Sequence, residues 1–214
     1  MQALHDGEAE LGITWRLIPN FLRHLSEQDA IETLAELEPY MENFHGFGLD
    51  SSEVGHPPSK FARVFGEIRS RGLPVVAHAG EEGPPEYIYE ALDILKVSRI
   101  DHGIRAIEDE ALVSRLARAQ IALTVCPLSN VKLCAVPSLE AHPLKKLMKA
   151  GVVVTINSDD PAYFGGYIGE NYRATAKALD LTNDELKNLA AMSIRGSWLH
   201  EVQKARHLAT IDQL

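Results

Sequence analysis

Six polar residues, His78, Glu81, His102, Ser158, Asp159 and Asp160, sit where three apolar, β-branched runs stop. The runs are Leu73-Pro-Val-Val-Ala-His-Ala-Gly-Glu81, Arg99-Ile-Asp-His-Gly103 and Val152-Val-Val-Thr-Ile-Asn-Ser-Asp-Asp-Pro161. An imidazole binds a divalent metal and a carboxylate moves a proton. His78 and Glu81 could do one of each at a single strand end. Two adjacent acids after a Val/Ile strand are costly unless something positive meets them. A metal ion held by Asp159 would do so, leaving Asp160 to accept hydrogen bonds from a substrate. Each group also has a local alternative. His78 and His102 could be satisfied structural histidines. Glu81 could cap a helix before Pro84-Pro85, and Asp160 could form an Asx-turn into Pro161. Gly103 lets backbone or ligand come close to His102. Asp101 could support a neighbouring ligand from behind or cap a loop.

Two further runs end on polar groups. Phe47-Gly-Leu-Asp-Ser-Ser-Glu53 brings Asp50, Ser52 and Glu53 to a strand end, where they could touch substrate or cap the loop. Cys126-Pro-Leu-Ser-Asn130 ends another. Cys126 reads as a small buried hydrophobe, because no second cysteine is spaced to share a metal with it. His45, His56, His142, His200 and His207 read as surface or packing residues.

Strands are expected at Ile13–Ile18, Phe44–Leu49, Leu73–His78, Arg99–Asp101, Ile121–Val125 and Val152–Ile156. Helices should fill the gaps. Ser26-Glu-Gln-Asp29 is a capping-box variant ahead of Ile31, Leu34, Leu37 and Met41. Pro58–Arg71 places Phe61, Val64, Phe65 and Ile68 at helical spacing. Pro85–Leu95, Glu108–Ala119 and Pro143–Ala150 repeat the pattern, and Thr182-Asn-Asp-Glu185 caps a helix near the C-terminus. Met1–Leu11 reads as the end of a helix. Regular alternation of strand and helix implies parallel strands with helical crossovers. Polar groups gathered at strand C-termini suit a (β/α)8 barrel of the TIM type, whose sites lie at that face. No GxGxxG or P-loop pulls toward a nucleotide-binding sheet. Six strands are expected where a closed barrel has eight, so residues 1–214 read as one partial barrel domain.

The net charge of −9 argues against a nucleic-acid backbone or an anionic membrane as the main partner. It leaves a neutral small molecule open. Two cysteines form no disulfide framework, so a reducing cytoplasmic setting is expected. No apolar run reaches the ~20 residues of a membrane helix. The first residues lack the basic start and apolar core of a secretory leader.

The ordered set His-Ala-Gly-Glu81, Asp-His-Gly103, Cys-Pro-Leu-Ser-Asn130 and Ser-Asp-Asp-Pro161 resembles the adenosine/adenine deaminase family of metal-dependent purine deaminases. The resemblance runs from Ile13 onward. Leu49-Asp-Ser-Ser-Glu-Val-Gly-His-Pro-Pro-Ser-Lys60 and Ser158-Asp-Asp-Pro-Ala-Tyr-Phe-Gly-Gly-Tyr167 resemble the adenine branch more than the adenosine branch. The resemblance implies that His78 and Asp159 are zinc ligands. It implies that Glu81 protonates the purine ring nitrogen beside the reacting carbon, and that His102 orients the attacking water. Asp160 would accept a hydrogen bond from the five-membered ring, and Ser52 would lie against the substrate. The implied reaction is hydrolytic deamination of adenine to hypoxanthine and ammonia, a step of purine salvage. A purine base is then the partner, a homo-oligomer being open. Adenosine deamination, or a non-catalytic remnant serving as a scaffold, are the alternatives. The family's zinc site also uses a His-x-His pair from its first strand, and none occurs among the nine histidines here. The missing pair and the two missing strands would share one explanation, an N-terminally truncated piece of a longer deaminase.

Overall fold

The computed structural model describes residues 1–213. Helix α1 (Gln2–Leu11) is followed by β1 (Asn20–Leu22), α2 (Glu27–Leu37), β2 (Gly48–Asp50), α3 (Ala62–Ser70) and β3 (Val76–Ala79). Next come α4 (Pro85–Glu90), β4 (Arg99–His102), α5 (Glu110–Ala119) and β5 (Ala122–Val125). Helices α6 (Pro127–Lys132) and α7 (Leu144–Lys149) then lead into β6 (Val153–Ile156). Four helices close the chain: α8 (Pro161–Phe164), α9 (Ile168–Leu179), α10 (Asn183–Gly196) and α11 (Glu201–Asp212).

Every ladder is parallel, and strand order follows chain order: β1-β2, then β3-β4-β5-β6. A bridge between Phe47 and Val75 links the two groups, with Val76 N–H donating to Phe47 C=O at 3.0 Å. Each strand is thus joined to its neighbour through an intervening helix, the winding of a (β/α) barrel. Among the described residues there are six strands, the number expected. All four residues of β6 are buried because one face meets the barrel interior and the other meets packed helices, α10 among them.

The caps are where they were read. Ser26 and Asp29 close a capping box on α2, and Thr182 and Glu185 close one on α10. Several elements differ, and the strand expected at Leu73–His78 runs as Val76–Ala79. The strand expected at Ile13–Ile18 forms only a single bridge, Leu17 to Phe44, and the ladder begins after Pro19. Pro19 has no N–H to donate, so pairing restarts at Asn20 opposite Gly48. The second strand slides the same way, to Gly48–Asp50. The helix expected from Glu108 starts at Glu110, because Asp109 accepts the N–H groups of Ala111 and Leu112 as its cap. Among the described residues, no helix is long and apolar enough to cross a membrane.

Candidate active site

Register decides which side chains meet. His78 pairs with Asp101, Asp101 with Thr124, and Thr124 with Thr155. Paired residues of a parallel sheet point to the same face, so these four form one rung. Thr124 Oγ1 donates to Asp101 Oδ1 at 2.7 Å. His102 pairs with Ala79, one residue further on. A regular strand would send it to the opposite face. Instead its backbone is left-handed, at φ 63°, and Gly103 follows at φ 69°. The turn swings the imidazole back beside His78, with ring centroids 4.6 Å apart. Asp159, just beyond β6, is left-handed too, at φ 57°. His and Asp are among the few non-glycine residues that tolerate this region, and strain of this kind collects at functional sites.

His102 is buried and stands between two carboxylates. Its Nδ1 lies 3.2 Å from Glu81 Oε1 and its Nε2 lies 3.9 Å from Asp159 Oδ2. Burial, with His78 and His142 nearby, holds its imidazole well below the usual histidine range, so it is neutral at pH 7. Burial also pushes the Glu81 carboxyl up to about 8, helped by the charges of Asp159, Glu53 and Glu82 and opposed by the Asn130 hydrogen bond. Glu81 is therefore a protonated acid at neutral pH.

The residue that ties this pair together is Asn130, which its place in the sequence does not mark as functional. It is wholly buried at the end of the Cys-Pro-Leu-Ser-Asn run on α6. Its amide nitrogen donates to Glu81 Oε1 at 2.6 Å and lies 3.2 Å from His102 Nδ1. The amide's orientation is set from behind. Leu144 N–H donates to His142 Nδ1 at 3.1 Å, which leaves Nε2 to carry the proton and donate to Asn130 Oδ1 at 3.1 Å. His142 is a packing residue, as read, but its packing orients a polar chain. Its pKa is lowered to about 4 by burial, so it stays neutral in this role.

A cleft of about 290 Å³ opens at this end of the strands, lined by His78, Asp101, His102, Thr124, Cys126 and Asp159 among others. Ligand atoms of His102, Cys126 and Asp159 lie within 4.8 Å of one another. His78 shares the cleft, and its Nδ1 is buried without a hydrogen-bond partner, with Asp101 Oδ2 3.7 Å away. The structure thus groups Asp159 with His102 and Cys126 and leaves His78 outside that group, on the same cleft with an unpartnered Nδ1. Imidazole, carboxylate and sulfur donors on one cleft fit a divalent metal of the zinc class. Cys126 lies closer to the donors than its reading as a hydrophobe suggested. Burial nonetheless raises its thiol well above the ordinary range, so it sits there as an uncharged S–H.

The remaining candidates are placed differently. Asp160 is exposed and its Oδ1 accepts Ala162 N–H at 3.1 Å, capping α8, the local alternative anticipated for it. Ser52 is exposed at the rim. Its neighbour Glu53 turns inward and is buried. Asp50, also at this end, is raised above the usual carboxylate range by burial, and its Oδ1 has no partner.

The family model described as adenosine deaminase matches residues 1–214. The chain belongs to the adenosine deaminase family. An adenine deaminase of Sphingopyxis alaskensis is 61% identical over 211 residues, which are 99% of this chain and 62% of that protein. An adenine deaminase of Caulobacter vibrioides is 57% identical over 212 residues, with the same shares. The crystal structure of adenine deaminase from Arthrobacter aurescens superposes with a TM-score of 0.96 at 48% identity, covering 99% of this chain and 65% of that one. An amidohydrolase from Burkholderia ambifaria with bound Zn superposes at 0.92 with 28% identity, covering 98% and 59%. The chain thus spans about 62% of the length of the curated relatives it matches. Membership of the deaminase family and the metal-bearing neighbour agree with the donor set in pointing to a metal centre in this cleft.

Proposed function

We propose that the whole protein carrying this chain is a zinc-dependent deaminase that converts adenine and water to hypoxanthine and ammonia. The observation that carries the reading is a buried Glu81, kept protonated near neutral pH, facing the same histidine as the metal-capable Asp159. An amino-substituted aromatic ring resists attack by water until a ring nitrogen is protonated. That demands a neutral acid on one side and an activated water on the other. Relatives named adenine deaminase at 61% and 57% identity support adenine as the base.

His78 and Asp159 would hold the zinc. Bound there, it would lower the pKa of a water to roughly 7. Glu81 passes its proton to the ring nitrogen beside the amino-bearing carbon. Asn130 holds the acid by its other oxygen function while that proton points away. His102, neutral and fixed at Nδ1, presents Nε2 toward Asp159 and orients the water. Asp160, through the carboxylate oxygen that does not cap α8, would accept a hydrogen bond from the five-membered ring, and Ser52 would lie against the base from the rim. The partner is a neutral purine base, compatible with an acidic chain. A reducing, cytoplasmic setting suits the free, unpaired thiols of Cys126 and Cys134.

The test is a deamination assay on the whole protein, with zinc restored or removed by a chelator. Adenine should be turned over at least a hundredfold faster than adenosine, and chelation should stop it. Turnover of neither purine by the zinc-loaded protein would sink the reading. Asn130→Leu should keep the zinc and cost on the order of 10- to 100-fold in kcat, because both the acid and His102 lose their shared donor. A rate equal to wild type in that variant would remove Asn130 from the site.

A further inference from the structure

Glu53 lies three residues past β2, between the exposed Ser52 and Val54, yet it is 2% exposed. A carboxylate is rarely buried to that degree unless something pairs it. Here the partner is backbone. Glu53 Oε1 accepts Gly80 N–H, and Oε2 accepts Glu81 N–H at 3.0 Å and Glu82 N–H at 2.8 Å. Three successive amides converge because Gly80 takes a left-handed conformation, φ 75°, which bends the chain into an anion-binding concavity. The other side of the same segment is held by Arg23, which is also fully buried. Its Nη1 donates to His78 C=O at 2.6 Å and its Nε donates to His56 C=O at 2.8 Å. Carbonyl and amides of residues 78 to 82 are thus gripped by two side chains from the first two strand ends.

Glu53 cannot serve as a substrate contact. A Cβ placed at Gly83 would come within 2.7 Å of Glu53 Oε1, so the loop closes directly over the carboxylate. The reading of Glu53 as a mouth-lining group gives way to one in which it faces inward.

We infer that Glu53 is the positioning residue of the catalytic acid, its carboxylate templating the backbone from which the Glu81 side chain projects. The inference rests on the proposed role of Glu81. A misplacement of about 1 Å at an acid costs on the order of 10²-fold in rate. The cost falls on kcat and spares KM when substrate contacts lie elsewhere.

The experiment compares Glu53→Gln and Glu53→Asp with wild type in the whole, zinc-loaded protein. A glutamine has one acceptor oxygen, and its NH₂ meets an amide that needs an acceptor. An aspartate keeps the charge and both oxygens on a shorter stem. Expected for Glu53→Gln is a kcat for adenine lowered roughly 10²-fold, KM within about threefold, and zinc still at one per chain. Glu53→Asp should recover a substantial part of that loss. A second readout needs no turnover: amide hydrogen exchange across Gly80–Glu82 should be slow in wild type and faster in Glu53→Gln. It holds even if adenine proves to be the wrong substrate, which separates failure of this inference from failure of the functional reading. Unchanged kcat in Glu53→Gln, or unchanged exchange of these amides, overturns the inference. Loss of zinc and of cooperative melting in both variants, in step with activity, also overturns it, since Glu53 would then be serving the fold at large.

Discussion

Glu81→Gln should lower kcat for adenine by roughly 10³- to 10⁴-fold while leaving zinc content and fold intact. Glutamine is close to isosteric and still accepts the Asn130 amide hydrogen that Glu81 accepts at 2.6 Å. What it lacks is the transferable proton. The same variant carries a stability signature. Free glutamate titrates near 4.5, and in the folded chain burial moves Glu81 to about 8. Between those values the unfolded chain has lost its proton and the folded chain has kept it. The folded state binds more protons, so its stability falls as pH rises through that window. Glu81→Gln removes the group and should remove its share of the decline in metal-free protein followed by denaturant melts from pH 5 to 8. Wild-type turnover in the variant would end the acid assignment. An unchanged pH slope would show that Glu81 ionises normally in the fold.

Asp159→Asn should abolish zinc binding, and with it essentially all turnover. Asn is chosen over Ala because position 159 sits at φ 57°, where asparagine is tolerated and alanine is strained. The backbone stays, the anionic oxygen goes, and a neutral amide is a poor ligand for zinc. Elemental analysis of the purified variant is the measurement. One zinc per chain in Asp159→Asn would shift the ligand role to the thiol of Cys126, the remaining donor grouped with His102. The Cys126→Ser variant would then be the one that loses metal.

A parallel strand buried on both faces is written as a short Val/Ile run, which is why β6 stood out in the sequence, whereas β4, Arg99-Ile-Asp-His102, alternates in burial and was marked by its polar ending. The polar endings of β3 and β6 pointed to the site because the residues before them, Val75 to Ala77 and Val152 to Val154, are apolar. The first strand was misplaced because Ile13, Trp15 and Leu17 alternate as a strand would, whereas only Leu17 finds a partner. The groups that organise the site were harder to see. Glu53 bonds to residues 27 to 29 positions away, and Asn130 bonds to Glu81 49 positions away. Such partners are chosen by strand register, which no local pattern encodes. Asn130 had a faint signal, as the polar residue ending Cys-Pro-Leu-Ser-Asn. Arg23 had none, being one cation between Leu22 and His24 at the end of a three-residue strand. The left-handed turns at His102 and Asp159 were equally hidden, since both residue types occur freely in ordinary loops.

Strand order that equals chain order has a bearing on how the molecule is made. Each strand can dock on its predecessor as soon as it leaves the ribosome, closing one loop around one helix, or around α6 and α7 before β6, at a time. Arg23, Glu53 and the Gly80–Glu82 loop emerge before Asn130 and His142, and those before Asp159. The seat of the acid is therefore assembled before the chain has finished supplying the groups that would hold a metal. Nascent chains can organise the proton donor without waiting for the ion.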